Sequence, residues 1–284
     1  MRRFFLADEN GREWALNGEN LIWLGNPAGL GASLSNEYAD IKQGFFSVLD
    51  TDKWSVQSVI ADLCFMRPAY ETYREFVDWL VPSVGLTLIY QPFGEERFFR
   101  SVKLDYINKT ELSNGAWLVT PISLSCLSPW YKPKNLTVQL AGDVSGAMQY
   151  PYIYDGDLVY GSSIAGAYST ELQPSGHLPA AVTVKYVGAV SNPIITLTGK
   201  NSGREIGRAQ INAEFTASDV LEFSTKYSDS HIRKNGVNII QSVSPGSDPF
   251  FHIPLGEPAI LRIQSTGTLT GSAEASIFYY YRSV

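Results

Sequence analysis

Apolar and polar positions alternate over short distances along most of this chain, and turn residues interrupt the alternation every few residues. Alternation with period two places one residue set on each face of a strand. The opening stretch predicts strands at Arg3 to Ala7, Glu13 to Leu16 and Leu21 to Leu24, the last closing at Gly25-Asn26-Pro27. From Leu30 to Asp50 the pattern is an ambiguous polar–apolar mixture. Trp54 to Met66 then alternates well enough, through Val56, Ser58, Ile60 and Asp62, to predict one long strand.

One segment changes period. Across Pro68 to Val81, Tyr70, Tyr73, Phe76, Val77 and Leu80 recur at helical spacing, with Glu71, Arg74, Glu75 and Asp78 opposite. This predicts an amphipathic helix that closes one end of a β domain. Pro68 suits its start, because a first-turn N–H has no intrahelical partner to lose, and Pro82 with Gly85 supplies the stop. Strands are predicted again at Leu86 to Gln91, Glu96 to Ile107 and Ala116 to Leu127, with Pro92-Phe-Gly94 and Asn114-Gly115 as turns. The segment Ser128-Pro-Trp-Tyr-Lys-Pro-Lys-Asn135 sets two prolines around two aromatics. Proline cannot donate to a central ladder, so the sheet is expected to end there, at a domain boundary.

Beyond it, strands are predicted at Val138 to Leu140, Ala181 to Tyr186, Ile194 to Thr198, Glu205 to Ile211, Val220 to Ser224, Asn238 to Gln241, Ala259 to Gln264 and Ala275 to Arg282. A series of this kind suits a jelly-roll sandwich. The last strand, with Ile277-Phe-Tyr-Tyr-Tyr-Arg, is apolar or aromatic on both alternating sets and is expected to face a packed surface on each side.

Length and composition sharpen this picture. A chain of 284 residues has room for two domains, each with its own core. Hydrophobic residues make up 44% and charged ones 18%, which argues for a folded chain, and the 13% of aromatics tilts it towards strands. A net charge of −6 without a basic run gives no footprint for gripping nucleic acid. The apolar run in Met1-Arg-Arg-Phe-Phe-Leu-Ala is too short for a signal peptide or a membrane span, so synthesis in a cytoplasm without membrane insertion is expected. Cys64 and Cys126 form neither a disulfide framework nor a zinc cluster, and both are expected to be small buried thiols.

Candidate chemistry is sparse. His177 sits in a loop, His231 in Asp229-Ser-His-Ile and His252 in the apolar run Pro249 to Pro254, none with metal-ligand spacing. There is no Gly-x-Ser-x-Gly elbow and no phosphate-cradling glycine loop. Carboxylate pairs at Asp155-Gly-Asp157, Asp219 with Glu222, and Glu95-Glu96 have the residue types of a glycosidase, but such pairs arise by chance and a turn between aromatic strands explains the first. Gly199-Lys-Asn-Ser-Gly203 reads as a hairpin turn. No catalytic, cofactor-binding or metal-binding residue is assigned, no cofactor is expected, and the chain is read as a non-enzyme.

Taken in order, the opening Arg-Phe-Phe strand, the stretch Trp54 to Met66, the helix, and the exit Ser128-Pro-Trp-Tyr-Lys-Pro resemble the N-terminal part of the siphophage distal tail proteins. In the second half, Val187 to Leu197, Ser247 to Gly256 and the closing aromatic strand with Arg282 continue the resemblance. The signal lies in the order and spacing of these segments. The resemblance implies a mainly β fold: an N-terminal split β-barrel (belt) domain with one helix over residues 1–133, then a galectin-like jelly-roll β-sandwich over 134–284. It further implies a hexameric ring at the tail tip of a virion, joined to tail-tube, tape-measure, lysin or fibre and receptor-binding proteins. Genome DNA would only pass through its channel. An acidic chain suits such a passage. The alternative reading is a carbohydrate-binding adhesin, with Trp and Tyr rings stacking on host glycans; no sugar-binding cluster carries over residue by residue.

Overall fold

The computed structural model describes residues 2–40, 46–92, 94, 96–111, 117–137, 139–141, 167–267 and 269–284. The chain is mainly β with one α-helix, and it divides into two compact units, Met1–Lys132 with Tyr281–Val284, and Pro133–Tyr280.

In the first unit the strands are β1 (Arg3–Ala7), β2 (Glu13–Ala15), β3 (Ile22–Ala28), β4 (Ala32–Asp40), β5 (Phe46–Val56), β6 (Val59–Phe65), β7 (Leu86–Gln91), β8 (Phe98–Ile107), β9 (Leu118–Cys126) and the start of β10 (Trp130–Thr137). They pair antiparallel in the order β3–β6–β9–β8–β7–β1–β2. An isolated bridge, Asn17 to Trp23, joins the residues after β2 to β3. Strand β8 is long enough to pair with β9 over Val102 to Ile107 and with β10 at Phe99 to Tyr131. Alternation decides what faces inwards: Val59, Ala61, Leu63 and Phe65 of β6 are buried, whereas Ile60, Asp62 and Cys64 lie on the other face. Tyr281 returns to this unit and meets Phe98 edge-on at 5.3 Å.

Helix α1 (Ala69–Leu80) follows Pro68, whose carbonyl accepts from the Thr72 amide and hydroxyl. Its buried residues are Ala69, Thr72, Phe76 and Leu80, so the inward face is rotated from the predicted one. Tyr70 points outwards, 40% exposed, with its hydroxyl on Glu111. Bulk misleads here: the small Ala69 and Thr72 let the helix approach closely enough for Phe76 to meet Trp14 and Phe65 edge-on.

Three further expectations need correction. The predicted strand Trp54 to Met66 is two strands broken at Gln57–Ser58, because β5 pairs with β4 while β6 pairs with β3 and β9. At that break Gly29, at φ +80°, lies so near the opposing backbone that a Cβ would stand 2.0 Å from the Ser58 carbonyl oxygen. Gly25-Asn26-Pro27 does not close β3 but forms an irregularity within it, where the register shifts between Gly25 and Ala28 and proline's missing donor costs nothing. Nor does the sheet end at Ser128 to Asn135: pairing at Tyr131 precedes Pro133, so β10 forms. The Asn114-Gly115 turn lies outside the described residues.

Beneath β10 is a buried polar clamp. Arg100, 1% exposed, donates from Nε to the Ser128 carbonyl and from a terminal nitrogen to the Gly29 carbonyl, both at 3.1 Å. Its guanidinium lies 5.1 Å from the ring centroid of Trp130, and the Trp130 indole N–H donates to the Leu30 carbonyl. Burial lowers the pKa of Arg100.

The second unit contains β11 (Gln139–Ala141), β12 (Ala167–Leu172), β13 (Leu178–Ser191), β14 (Ile194–Gly199), β15 (Glu205–Gln210), β16 (Glu214–Phe215), β17 (Val220–Lys226), β18 (Asp229–Lys234), β19 (Val237–Asn238), β20 (Ala259–Gln264) and β21 (Leu269–Tyr281). One antiparallel set runs β11–β12–β20–β14–β15; the other runs β19–β18–β17–β13–β21, with β16 on the end of β13. Tyr168 of β12 meets Tyr186 of β13 edge-on at 5.8 Å, which brings the two sets into contact. Ile277 to Tyr280 of β21 are all buried, as the two-sided apolar pattern predicts. The strand expected at Asn238 to Gln241 is instead the end of β19 and a 3-10 turn at Ile240–Ser242, because the Asn238 side chain accepts from the Ile240 amide. Strands β12, β16 and β18 were not predicted, and of Val138 to Leu140 the first residue lies outside the described residues.

Replacing Trp130 by alanine should destabilise the first unit by about 3–5 kcal/mol. Arg100→Met, which strands two buried carbonyls, should cost about 1–3 kcal/mol per carbonyl. Urea unfolding followed by near-ultraviolet circular dichroism measures both.

Candidate functional site

The residues singled out for chemistry do not converge. On β18 the His231 Nδ1 lies 2.9 Å from the Asp229 carboxylate, which accepts from it. His252 stacks on Tyr227 at 4.4 Å between centroids; its Nε2 is buried without a partner, and burial lowers its pKa. The His177 amide donates to the Tyr280 carbonyl. Among the described residues no three His, Cys, Asp or Glu side chains gather as metal ligands. Cys64 and Cys126 are unpaired and only half-buried, a correction to the expected core thiols; Cys64 belongs to the outward set of β6.

The carboxylate pairs have separate partners. Asp219 accepts from the Thr216 amide at 2.8 Å, from the Asn235 amide group at 2.7 Å and from Lys234 at 3.1 Å. These bonds, the Thr216 amide first, hold its pKa far below the usual carboxylate range, so it is an anchor for a turn. Glu222 lines a different place, described next. Glu96 pairs with Lys132 at 2.6 Å; Glu95 and Asp155-Gly-Asp157 lie outside the described residues.

Two surfaces stand out. On the second unit, register aligns Arg233, Glu222, Lys185 and Glu274 across β18, β17, β13 and β21, a row of alternating charge. The adjoining row is His231, Ser224, Thr183 and Ser276. All of these but Arg233 line a shallow pocket of about 310 Å³. Its phenyl ring, Phe223, is 1% exposed and offers no stacking platform for a sugar.

On the first unit the outward face of β3, β6 and β9 carries exposed apolar side chains on either side of a row formed by Gly25, Asp62 and Pro121. Trp23, Cys64 and Val119 form one row, and Ile60 and Ser123 another that reaches Tyr106 of β8. Trp23, Ile60, Val119 and Tyr106 are 36–50% exposed. Apolar side chains gathered on a sheet face mark a contact surface. Beside them, β4 and β5 pair only with each other among the described strands, and a two-stranded hairpin is marginal in water unless it packs on something. These surfaces suit assembly more than catalysis.

This mainly β architecture has counterparts among known proteins. The chain resembles, over 100% of both chains and with TM-score 0.66 at 14% identity, a chain of the phage P2 baseplate in its activated conformation with calcium. The same baseplate with strontium gives the same values. The SPP1 Dit protein, a hub of the adsorption apparatus in phages infecting Gram-positive hosts, matches 97% of this chain and 98% of its own, with TM-score 0.56 at 10% identity. At these identities the likeness is one of fold. No curated protein matches the chain in sequence. Residues 3–127, the greater part of the first unit, match the family described as distal tail protein, N-terminal domain.

The Asp219 anchor carries a pH dependence. A carboxylate with a lowered folded-state pKa contributes stability in full above its unfolded value, near ~4, and loses it as pH falls below that. Asp219→Asn should therefore be less stable than the parent at pH 7, with the gap in melting temperature narrowing below about pH 4.

Proposed function

We propose that the chain is a distal tail protein that forms a hexameric ring, joins the tail tube to the tail tip and holds host-recognition proteins. The observation that carries the reading is the set of exposed apolar side chains on the outward face of β3, β6 and β9, with the self-paired hairpin β4–β5, on the very unit that matches the distal tail domain. Both are surfaces that folding leaves unburied and that neighbouring copies can cover. A head-to-tail cyclic contact closes such copies into a ring. In this reading residues 1–133 are the ring-forming belt. Its sheet, joined from the end of β2 to β3 by the Asn17–Trp23 bridge, is a split barrel. Residues 134–284 are the galectin-like jelly roll, displayed to receptor-binding or baseplate proteins. Tail-tube, tape-measure and lysin or fibre proteins are the axial neighbours, and DNA crosses the ring without being held.

The adhesin alternative places a glycan on the charged face of β13, β17, β18 and β21. That face has hydrogen-bonding groups but no exposed ring in its pocket, so the hub is preferred.

Light scattering at high concentration, alone and with tail-tube protein, should give a species near six times the 31.4 kDa of the chain. Ile60→Glu with Val119→Glu, both on exposed positions, should leave the melting curve within about 1 kcal/mol of the parent and abolish that species. A parent that stays monomeric under both conditions overturns the proposal.

A further inference from the structure

Segment 249–254 of the second unit is pinned on either side of His252. Phe251, 3% exposed, tilts against Phe223 of β17 at 5.6 Å between centroids. It also sits against Gly207 of β15, where an added Cβ would stand 2.3 Å from the Phe251 side chain. Ile253 exchanges both backbone hydrogen bonds with Ala180 of β13, at 3.0 and 2.8 Å. Between these anchors His252 lies against the turn Tyr227-Ser228 that joins β17 to β18, its ring 4.4 Å from that of Tyr227 and 16° from parallel. Tyr227 in turn meets Tyr280 of β21 edge-on at 4.8 Å, and its hydroxyl donates to the Pro179 carbonyl of β13 at 3.4 Å.

Three observations make this stack sensitive to a proton. The His252 Nε2 is buried with no hydrogen-bond partner, so a proton added there would create an N–H shut off from both acceptor and solvent. The groups around the ring do not offset that cost. Withdrawal from water is the largest influence and lowers the His252 pKa, while the Thr225 backbone, the Asp248 carboxylate and the Phe250 backbone act more weakly in the opposite sense. Lys226, beside Tyr227, holds its ammonium over the Phe278 ring at 4.1 Å. Lastly, of the parts that enclose the imidazole, Tyr227 is the one free to yield. Phe251 and Ile253 are core residues, whereas Tyr227 is 47% exposed on a short turn and can leave by a side-chain rotation.

We propose that the Tyr227–His252 stack is an acid-sensitive latch: a proton on His252 releases the Tyr227 ring, admits water to the imidazole and loosens the turn between β17 and β18 from β13 and β21. A base whose folded-state pKa is lowered contributes its full stability above its unfolded value, about 6.5, and loses it as pH falls below that. The Asp219 anchor keeps its contribution down to about pH 4, so the two act in separate windows. The latch lies within the second unit and does not rest on the hub reading.

The test follows the imidazole Cε1–H signals of the full chain by nuclear magnetic resonance across about pH 4.5 to 8, with His177→Gln and His231→Gln to assign them. His252 is expected to titrate below the ordinary histidine value, and Tyr227→Ala, a change at an exposed ring, should bring it back up towards that value. Amide exchange at Tyr227 to Asp229, normalised for intrinsic rate, should rise several-fold between about pH 7 and about pH 5 in the parent. It should stay level in His252→Phe, which keeps an aromatic stack without a titrating group; should that variant unfold, the Tyr227→Ala titration still decides. A His252 titration at or above the ordinary value overturns the latch, because the tyrosine face and Asp248 would then be holding the cation. So does a lowered pKa that Tyr227→Ala leaves unchanged, or exchange that rises equally in His252→Phe.

Discussion

The guanidinium of Arg100 and the indole of Trp130 sit together inside the first unit, and three backbone carbonyls from distant parts of the chain converge on their N–H groups. Two of these, at Gly29 and Leu30, belong to the short link between β3 and β4. The third, at Ser128, precedes β10. The clamp thus fixes the root of the hairpin β4–β5 and the path by which the chain leaves β9. A charge in an apolar interior is tolerated only when its donors are occupied, and here carbonyl oxygens and the face of an aromatic ring serve where a carboxylate usually would. Specific packing of the irregular link follows from that requirement. A hydrophobic side chain in place of Arg100 could fill the space but could not satisfy the link's carbonyls.

What the sequence makes legible depends on whether local alternation matches the tertiary partner. β1, β7 and β20 are read correctly to the residue, because their apolar set is also their buried set. β18 is missed because Asp-Ser-His-Ile-Arg-Lys buries only Ile232 and presents its polar side to solvent. The break between β5 and β6 is invisible because alternation continues through it; only the exchange of partners, from β4 to β3 and β9, creates it. Prolines at 129 and 133 suggest a terminus, yet the pairing residue between them decides the outcome. As for sites, the acids and histidines could be recognised as isolated, but not the tasks some of them perform. Asp219 as a turn anchor depends on Asn235 and Lys234, which only folding brings near.

The two units divide their surfaces by polarity. On β18, β17, β13 and β21 one row alternates Arg233, Glu222, Lys185 and Glu274, so opposite charges are lateral neighbours. The outward face of β3, β6 and β9 has no such lateral compensation; Asp62 is its charged member on β6, already engaged by Asn26.

Residues 281–284 belong to the first unit although they follow the second in the chain, and Tyr281 rests edge-on against Phe98. Topologically, the second unit is therefore a long insertion into the first and not an appendix to it. Evolution or an engineer can exchange such an insert for another module by splicing at its two adjoining junctions, near residues 132 and 281, whereas simple truncation after the first junction would strip the host of a segment it uses.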